Sequence, residues 1–276
     1  MTVQKALRHA CRRLEEGAVP VPRLTAEVLL CHALHCERSH LYAHPEERLS
    51  EAAQRSFEGY LAERLQGKPT QYITRRQEFY GREFHVTPDV LIPRPETEHV
   101  VEAALAVGRD ARGILDVGCG SGAIAVTLSL EVGRPVWASD ISEAALAVAA
   151  ENARRLGAQV QFFASDVMEA VAGRSLDLVV SNPPYVPLGE EAGLQREVRD
   201  WEPRTALFSG PRGLDMYRRL VADAARVLRP GGWLVLELGF KTAGPVREML
   251  SFGWSHIEIR PDLAGFDRVL MARHLP

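Results

Sequence analysis

Residues 181–186 read SNPPYV and follow an apolar run, Leu176 to Val180, broken only by Asp177. Each proline fixes φ and removes an N–H donor, and each pushes the residue before it toward extended geometry. The stretch is therefore stiff and leaves carbonyl acceptors without competing donors beside them. The Asn182 side-chain oxygen and the Pro183 carbonyl can converge on one point, matching the two hydrogens of a planar amino group, while Tyr185 offers a flat face. An –NH2 on a delocalised group is a poor nucleophile; the amide rotation barrier of ~18–20 kcal/mol measures that conjugation. Two acceptors orient such a nitrogen toward an electrophile and stabilise the positive charge that grows on it. Asn-Pro-Pro alone is equally an ordinary strand terminator; its position, about 60 residues beyond a glycine-rich loop at the end of another strand, favours the chemical reading.

That loop, ILDVGCGSGAIA, places Asp116, Gly118, Gly120 and Gly122 at a strand-to-helix junction. The glycines allow a tight turn and close approach of a ligand. The spacing is G-x-G-x-G, with Ala123 where a dinucleotide fingerprint has its last glycine. The acids discriminate further. Asp140 closes VWASD, where a carboxylate can accept both hydroxyls of a ribose, and Asp166 closes FFASD. Strand-end acids would repel a pyrophosphate but suit S-adenosylmethionine, which carries a ribose, an amino group and a sulfonium. A sulfonium methyl donor beside a holder for –NH2 implies methyl transfer. The competing reading is a glycine turn with three solvated aspartates.

The elements that position these residues alternate. Apolar runs at Ile114–Val117, Val136–Ser139, Val160–Ala164, Leu176–Ser181 and Trp233–Leu238 predict strands. Helices are predicted over about 122–130, 142–156, 168–172 and 213–228, with another at 241–251. Such alternation implies a parallel sheet covered on both faces. His256–Ile259 and Val269–Ala272 follow each other without a helix, so they should pair antiparallel. Upstream, EFYGREFHV suggests a hairpin, and VTPDVLIPRPETE, with three prolines, an extended connector. Residues 1–70 read as helices only. Val3, Ala6, Leu7, Ala10 and Leu14 recur at helical spacing up to Gly17, LTAEVLLCHALH forms a second helix, and a third starts at Ser50. The expected organisation is thus 1–70 helical, 71–96 hairpin and linker, and 97–276 catalytic.

Composition limits the alternatives. The chain has 276 residues, 46% hydrophobic and 25% charged, and a net charge of −3, which argues against a large basic face for duplex nucleic acid. Four irregularly spaced cysteines fit free thiols in a reducing compartment. With neither a signal-peptide pattern nor an apolar run near ~20 residues, a cytoplasmic location is expected. Cys31 and His35 stand i, i+4, but no cysteine pair completes a metal set, so no metal is expected. Cys119 lacks a nearby histidine for a nucleophilic role. Arg94 and Glu96 either line the cofactor cleft or brace it, and Glu197, Trp201 and Glu202 either form a lid or substrate groove or lie on a plain surface loop.

Together with GKPTQYI, LIPRPETEHVVEAAL, DISEAALAVAAENARRLG, WEPRTALFSGPRGLDMYRRL, LRPGGWLVLELG and DLAGFDRVLMAR, these motifs resemble, in order and over nearly the whole chain, the bacterial release-factor glutamine-N5 methyltransferases (HemK-like), class I S-adenosylmethionine-dependent enzymes with an Asn-Pro-Pro-Tyr motif. The resemblance implies a Rossmann-like, seven-stranded, mostly parallel sheet with an antiparallel last strand and a small helical N-terminal domain; since residues 1–70 hold no catalytic constellation and the proline-bearing connector sets them apart, they are expected to dock the substrate. It implies that Gly118, Cys119, Gly120, Ser121, Gly122, Asp140 and Asn182 hold the cofactor, with Asp166 and Val167 near the adenine; the family often has an aromatic residue where Val167 stands. It implies that Asn182, Pro183, Pro184 and Tyr185 hold the glutamine of the Gly-Gly-Gln loop of peptide chain release factors. Release factors are thus the expected partners of a monomeric enzyme with no stable nucleic-acid partner and no membrane. The alternative is methylation of adenine N6 or another nucleobase amino group, which uses similar segments but usually a basic recognition region. A non-catalytic binding module fits the paired donor and acceptor apparatus poorly.

Overall fold

The computed structural model describes residues 1–276. The chain forms two compact units, Met1–Arg76 with Gln195–Trp201, and Gln77–Leu194 with Glu202–Pro276.

The first unit is helical: Val3–Glu16, Pro22–Leu34, Arg38–Ala43, Glu51–Leu65, Thr70–Thr74 and Arg196–Trp201. Thr2 and Ser50 cap their helices by accepting from the Lys5 and Ala53 amides. The helical spacing of Val3, Ala6, Leu7, Ala10 and Leu14 makes one buried face, which joins Leu29, Leu30, Phe57 and Leu61 in a single core. The helices at 38–43 and 70–74 were not expected from the pattern, being too short to show a period. His35 is the left-handed C-cap of its helix, φ 53°, so it does not continue the face that carries Cys31. Glu197, in the 196–201 helix, pairs with the buried Arg64 at 2.5 Å. It therefore acts as an anchor within this unit.

In the second unit a hairpin, β1 (Arg76–Phe79) and β2 (Arg82–His85), turns at Tyr80 and Gly81, both at positive φ. The main sheet contains β3 (Ile114–Val117), β4 (Val136–Asp140), β5 (Val160–Ala164), β6 (Leu176–Ser181), β7 (Leu228–Glu237), β8 (Trp254–Pro261) and β9 (Asp267–His274) in the order β5-β4-β3-β6-β7-β9-β8. Neighbours from β5 through β7 are parallel, and β9 runs antiparallel between β7 and β8. Alternate residues of each strand supply the two faces. Ile114, Leu178, Val180 and Val235 belong to the layer that includes Val101, Ala104 and Leu128, and Leu115, Val179, Leu234 and Leu236 to the layer that includes Tyr217, Leu220 and Val246. Each fully buried Leu, Ile or Val contributes about 1.5–3 kcal/mol of transfer free energy, and the central strands are buried on both faces, as a parallel sheet requires.

In this unit the connector and the segment after β5 differ from expectation. The connector ends in a 3-10 turn, Pro95–Thr97, that runs into a helix, Glu98–Gly108; the third proline sits at the helix start, where its missing N–H costs nothing. The predicted helix near 168–172 is absent. Val167 has φ 52°, the amides of Glu169 and Val171 reach back only three residues, and the Arg226 guanidinium takes the carbonyls of Met168 and Val171. An outside donor thus replaces the helical ladder.

Candidate active site

The strand order reverses at β3, with β4 on one side and β6 on the other. In open α/β sheets the ligand crevice lies at such a switch point, beyond the carboxyl ends of the strands. Both chemical motifs emerge there: the glycine loop from β3 and Asn-Pro-Pro-Tyr from β6. The two strand ends are pinned together by the Ser181 hydroxyl, which donates to the Val117 carbonyl at 2.7 Å.

In the glycine loop, Gly118, Gly120 and Gly122 all have positive φ (71°, 54° and 79°). Side chains at Gly118 and Gly120 would meet open space, whereas one at Gly122 would come within 3.1 Å of Ala149 Cβ. Gly118 and Gly120 therefore leave room for a ligand, and Gly122 lets two helices approach. The Gly118 and Cys119 amides donate to the Ser139 carbonyl, and the Gly120 amide donates to Asp140 Oδ2 at 2.9 Å. Ser142 N donates to Asp140 Oδ1, also at 2.9 Å. Each Asp140 oxygen is thus fixed by one backbone donor and keeps acceptor capacity for a diol. Ser121 is buried, and its carbonyl accepts from Asn152 Nδ2; the Asn152 side chain also exchanges hydrogen bonds with the His85 backbone in β2. Asn152 was not singled out from sequence, since an asparagine inside a predicted helix carries no local signal.

Asp116 is fully buried, with Oδ2 accepting from the Ala125 amide and Oδ1 without a partner. Burial pushes its pKa up to about 7, against the Ala125 hydrogen bond and with a further push from Asp140. An orphaned acidic oxygen, a fixed diol acceptor and two glycines facing open space suit the ammonium and ribose groups of S-adenosylmethionine. Asp166 lies elsewhere in its electrostatics: its carboxylate pairs with Arg219 at 2.8 Å. Val167 is buried in the apolar layer with Leu115 and Val117. Burial raises the Cys119 thiol well above its ordinary range, so it stays protonated at neutral pH and is no nucleophile.

Around Asn-Pro-Pro-Tyr the sequence reading missed two partners. Asn182 Nδ2 donates to Thr97 Oγ1 at 3.0 Å, the Thr97 hydroxyl donates to Glu237 Oε2 at 2.6 Å, and the Tyr185 hydroxyl reaches Glu237 Oε1 at 3.4 Å. Glu237 ends β7, is buried, and has its pKa raised to about 7, chiefly by desolvation, opposed by Thr97 and Arg268. The Tyr185 ring packs on Gly239, where a Cβ would lie 2.6 Å from Tyr185 Cδ2. Tyr217 secures that segment by donating to the Glu237 carbonyl and accepting from the Gly239 amide. Arg94 and the Ile92 amide both donate to the buried Glu202 carboxylate, so Arg94 braces the connector against the WEP segment. Beside Tyr185 opens a cleft of about 860 Å³ whose lining includes Pro187, Arg212, Arg218, Phe240, Lys241 and Met249.

A seven-stranded sheet of this order, with its glycine loop and acids at the switch point, defines a class I S-adenosylmethionine-dependent methyltransferase. The solved structure of a methyltransferase from Pyrococcus furiosus shares this fold, with a TM-score of 0.55 and 18% identity, over 72% of this chain and 91% of that one. Residues 5–74 match the PrmC N-terminal domain and residues 99–195 the methyltransferase small domain. The release factor glutamine methyltransferase of Koribacter versatilis is 47% identical, covering 99% of both chains; that of Nitratidesulfovibrio vulgaris is 44% identical, over 99% of this chain and 95% of its own. The chain belongs to the release factor glutamine methyltransferase family.

Proposed function

We infer that this chain transfers the methyl group of S-adenosylmethionine to the side-chain amide nitrogen, N5, of the glutamine in the Gly-Gly-Gln loop of peptide chain release factors. Within the second unit, Gly118–Gly122 cradle the cofactor, Asp140 accepts from its ribose hydroxyls, and the unpartnered oxygen of Asp116 accepts from its ammonium group. When bound, the cofactor supplies an electrophilic sulfonium methyl. Asn182 Oδ1 and the Pro183 carbonyl accept the two amide hydrogens of the target glutamine, and Tyr185 stacks against it, with Pro184 keeping the segment rigid. Both acceptors bind more strongly as the nitrogen gains positive charge, so they act on the transition state more than on the ground state. No base is required before transfer, since the amide proton leaves after the methyl arrives. Asp166, tied to Arg219, serves the adenine end only through the loop that it begins, with Val167 contributing backbone.

The observation that carries this reading is the side-by-side emergence of a glycine loop and an Asn-Pro-Pro-Tyr segment from β3 and β6. The cleft beside Tyr185 suits residues flanking the glutamine, and the helical unit, which holds none of these groups, serves to dock the protein partner. No helix is long and apolar enough to cross a membrane, and the reading is of a cytoplasmic monomer without a stable nucleic-acid partner. The test is incubation with purified release factor and methyl-labelled cofactor, then mass mapping of the modified residue. Label on the Gly-Gly-Gln glutamine is the expected result; label on another residue, or no label on the release factor while added nucleic acid becomes labelled, overturns it.

A further inference from the structure

An asparagine amide is nearly symmetric in shape, so a side chain meant to present oxygen to a substrate needs something to stop it from presenting nitrogen. We propose that Thr97 and Glu237 are positioning residues that fix the Asn182 amide with its oxygen toward the substrate, by a hydrogen-bond chain that runs in one direction only. This rests on the assignment of Asn182 as the holder of the target amide.

The direction follows from the donor inventory. An ionised carboxylate only accepts, and a threonine hydroxyl carries one hydrogen. Thr97 Oγ1 lies 2.6 Å from Glu237 Oε2, so that hydrogen goes to Glu237. The Thr97 oxygen is then left with lone pairs alone, and at 3.0 Å it is met by the Asn182 amide group. Only the –NH2 end satisfies it, which turns Oδ1 the other way. A buried carboxylate is costly and is normally matched to a cation. Here the Arg268 guanidinium, which favours the charge, is itself engaged by Asp262 and the Leu238 carbonyl. Glu237 therefore serves its hydroxyl partners and not an ion pair. The chain links the 3-10 turn Pro95–Thr97, the end of β6 and the end of β7, three segments brought together only by the fold.

The direction also depends on the charge of Glu237. A protonated Glu237 donates to Thr97 and frees the threonine hydrogen to bond the asparagine oxygen, which turns the amide the wrong way. The groups that face Glu237 are Thr97 and Glu96 from the 3-10 turn, Tyr185 after β6 and Arg268 of β9, with Tyr217 bonded to its backbone carbonyl. With its pKa raised to about 7, the wild-type rate falls as pH drops from about 8 to about 6.

The experiment is single-turnover methylation of purified release factor by the full chain with saturating S-adenosylmethionine, with cofactor affinity and release-factor KM measured alongside. Thr97→Val removes the acceptor without changing shape and slows the step about tenfold, with KM and cofactor Kd within about twofold of wild type. Thr97→Ser keeps the hydroxyl and recovers most of that loss. Thr97→Val in an Asn182→Ala background adds no further loss. A Thr97→Val rate equal to wild type, a Thr97→Ser rate as low as that of Thr97→Val, or losses that multiply in the double variant overturn the positioning role while leaving Asn182 in place. A wild-type rate for Asn182→Ala itself overturns the underlying site assignment. Should Thr97→Val not fold, Glu237→Gln decides: disappearance of the acid limb of the pH profile supports the chain, and an unchanged acid limb overturns it.

Discussion

On the proposed reading, Asn182 holds a nitrogen whose lone pair is already committed to a carbonyl. Its proposed contribution is a hydrogen bond that strengthens as positive charge develops, so its removal appears in kcat and not in cofactor binding. By analogy with an oxyanion-hole donor, Asn182→Ala loses on the order of 2.7–4 kcal/mol, or ~10²–10³ in rate, read by single-turnover methylation with calorimetry of cofactor binding as the control. Asp116 gives a different signal. Its pKa is raised to about 7 in the folded protein, against ~3.9 in an unfolded chain. The folded state therefore holds the extra proton, and the associated stability is complete below about pH 4 and lost as pH rises through about 7. Glu237, raised in the same direction, adds to that trend. Asp116→Asn, which cannot ionise, is expected to stabilise the ligand-free protein at about pH 8 by roughly 1–3 kcal/mol and to flatten the decline, while weakening S-adenosylmethionine binding. Thermal unfolding across pH, with and without cofactor, checks both halves; a ligand-free stability that rises from about pH 5 to about pH 8 in wild type, and not in the variant, contradicts the assignment. At this scale the sequence exposed the proposed site residues, namely the prolines and glycines with their restricted or unusual backbones and the acids at strand ends. It hid Thr97 and Glu237, because neither has a local signature and their meaning lies in contacts 85 and 140 residues away.

Strands and long helices were legible: β3 to β7 as apolar runs, the helix at 143–156 from its Ser142 and Gly157 caps, and the helix at 215–227 as a helical stretch between strands. The short turn after β5 was not, since its backbone is satisfied by Arg226 from a distant helix. The segment after β7 shows how an element can be constrained by what packs on it. Gly239 does not have the positive φ that would by itself demand glycine; what excludes a side chain is the Tyr185 ring, 2.6 Å from a built Cβ, where carbon atoms normally rest ~3.5–4.0 Å apart. Gly213 confines the same residue from the other direction, its Cβ position being 2.1 Å from the Tyr185 carbonyl oxygen. Gly239→Ala is therefore expected to displace Tyr185 and to lower kcat, with overpacking costing about 1–3 kcal/mol of stability. Tyr185→Ala in the same chain should relieve the clash. If Gly239→Ala slows Tyr185→Ala as much as it slows wild type, the tyrosine is not the element that it disturbs.

Across the whole molecule, the proposed cofactor and substrate groups all belong to the second unit, and in sequence they all follow the hairpin. The change from helical periodicity to strand–helix alternation was readable in the sequence. What was not readable is that Gln195–Trp201 returns to the helical unit: seven residues carry too little pattern to announce a partner, and the tie is made by tertiary pairs such as Glu197 with Arg64 and the Arg196 guanidinium with the Gln66 carbonyl. In the proposed function this unit, which has its own core and capped helices but none of the proposed reacting groups, docks the macromolecular substrate. Its removal should then affect recognition and leave the chemistry intact. The clean variant deletes residues 1–75, stopping just before β1, and replaces Gln195–Trp201 by a short Gly-Ser linker, since the flanks are held within the second unit by Arg204 to Glu191 and by Arg94 to Glu202. This variant is expected to bind S-adenosylmethionine like the full chain, to methylate a short peptide containing Gly-Gly-Gln as fast as the full chain does, and to lose at least about tenfold in kcat/KM on the intact release factor, through KM. The tenfold loss corresponds to about 1.4 kcal/mol of docking energy. Equal kcat/KM of the two forms on the intact release factor rules out docking by the helical unit, and a parallel loss on the peptide would assign that unit to the chemistry instead.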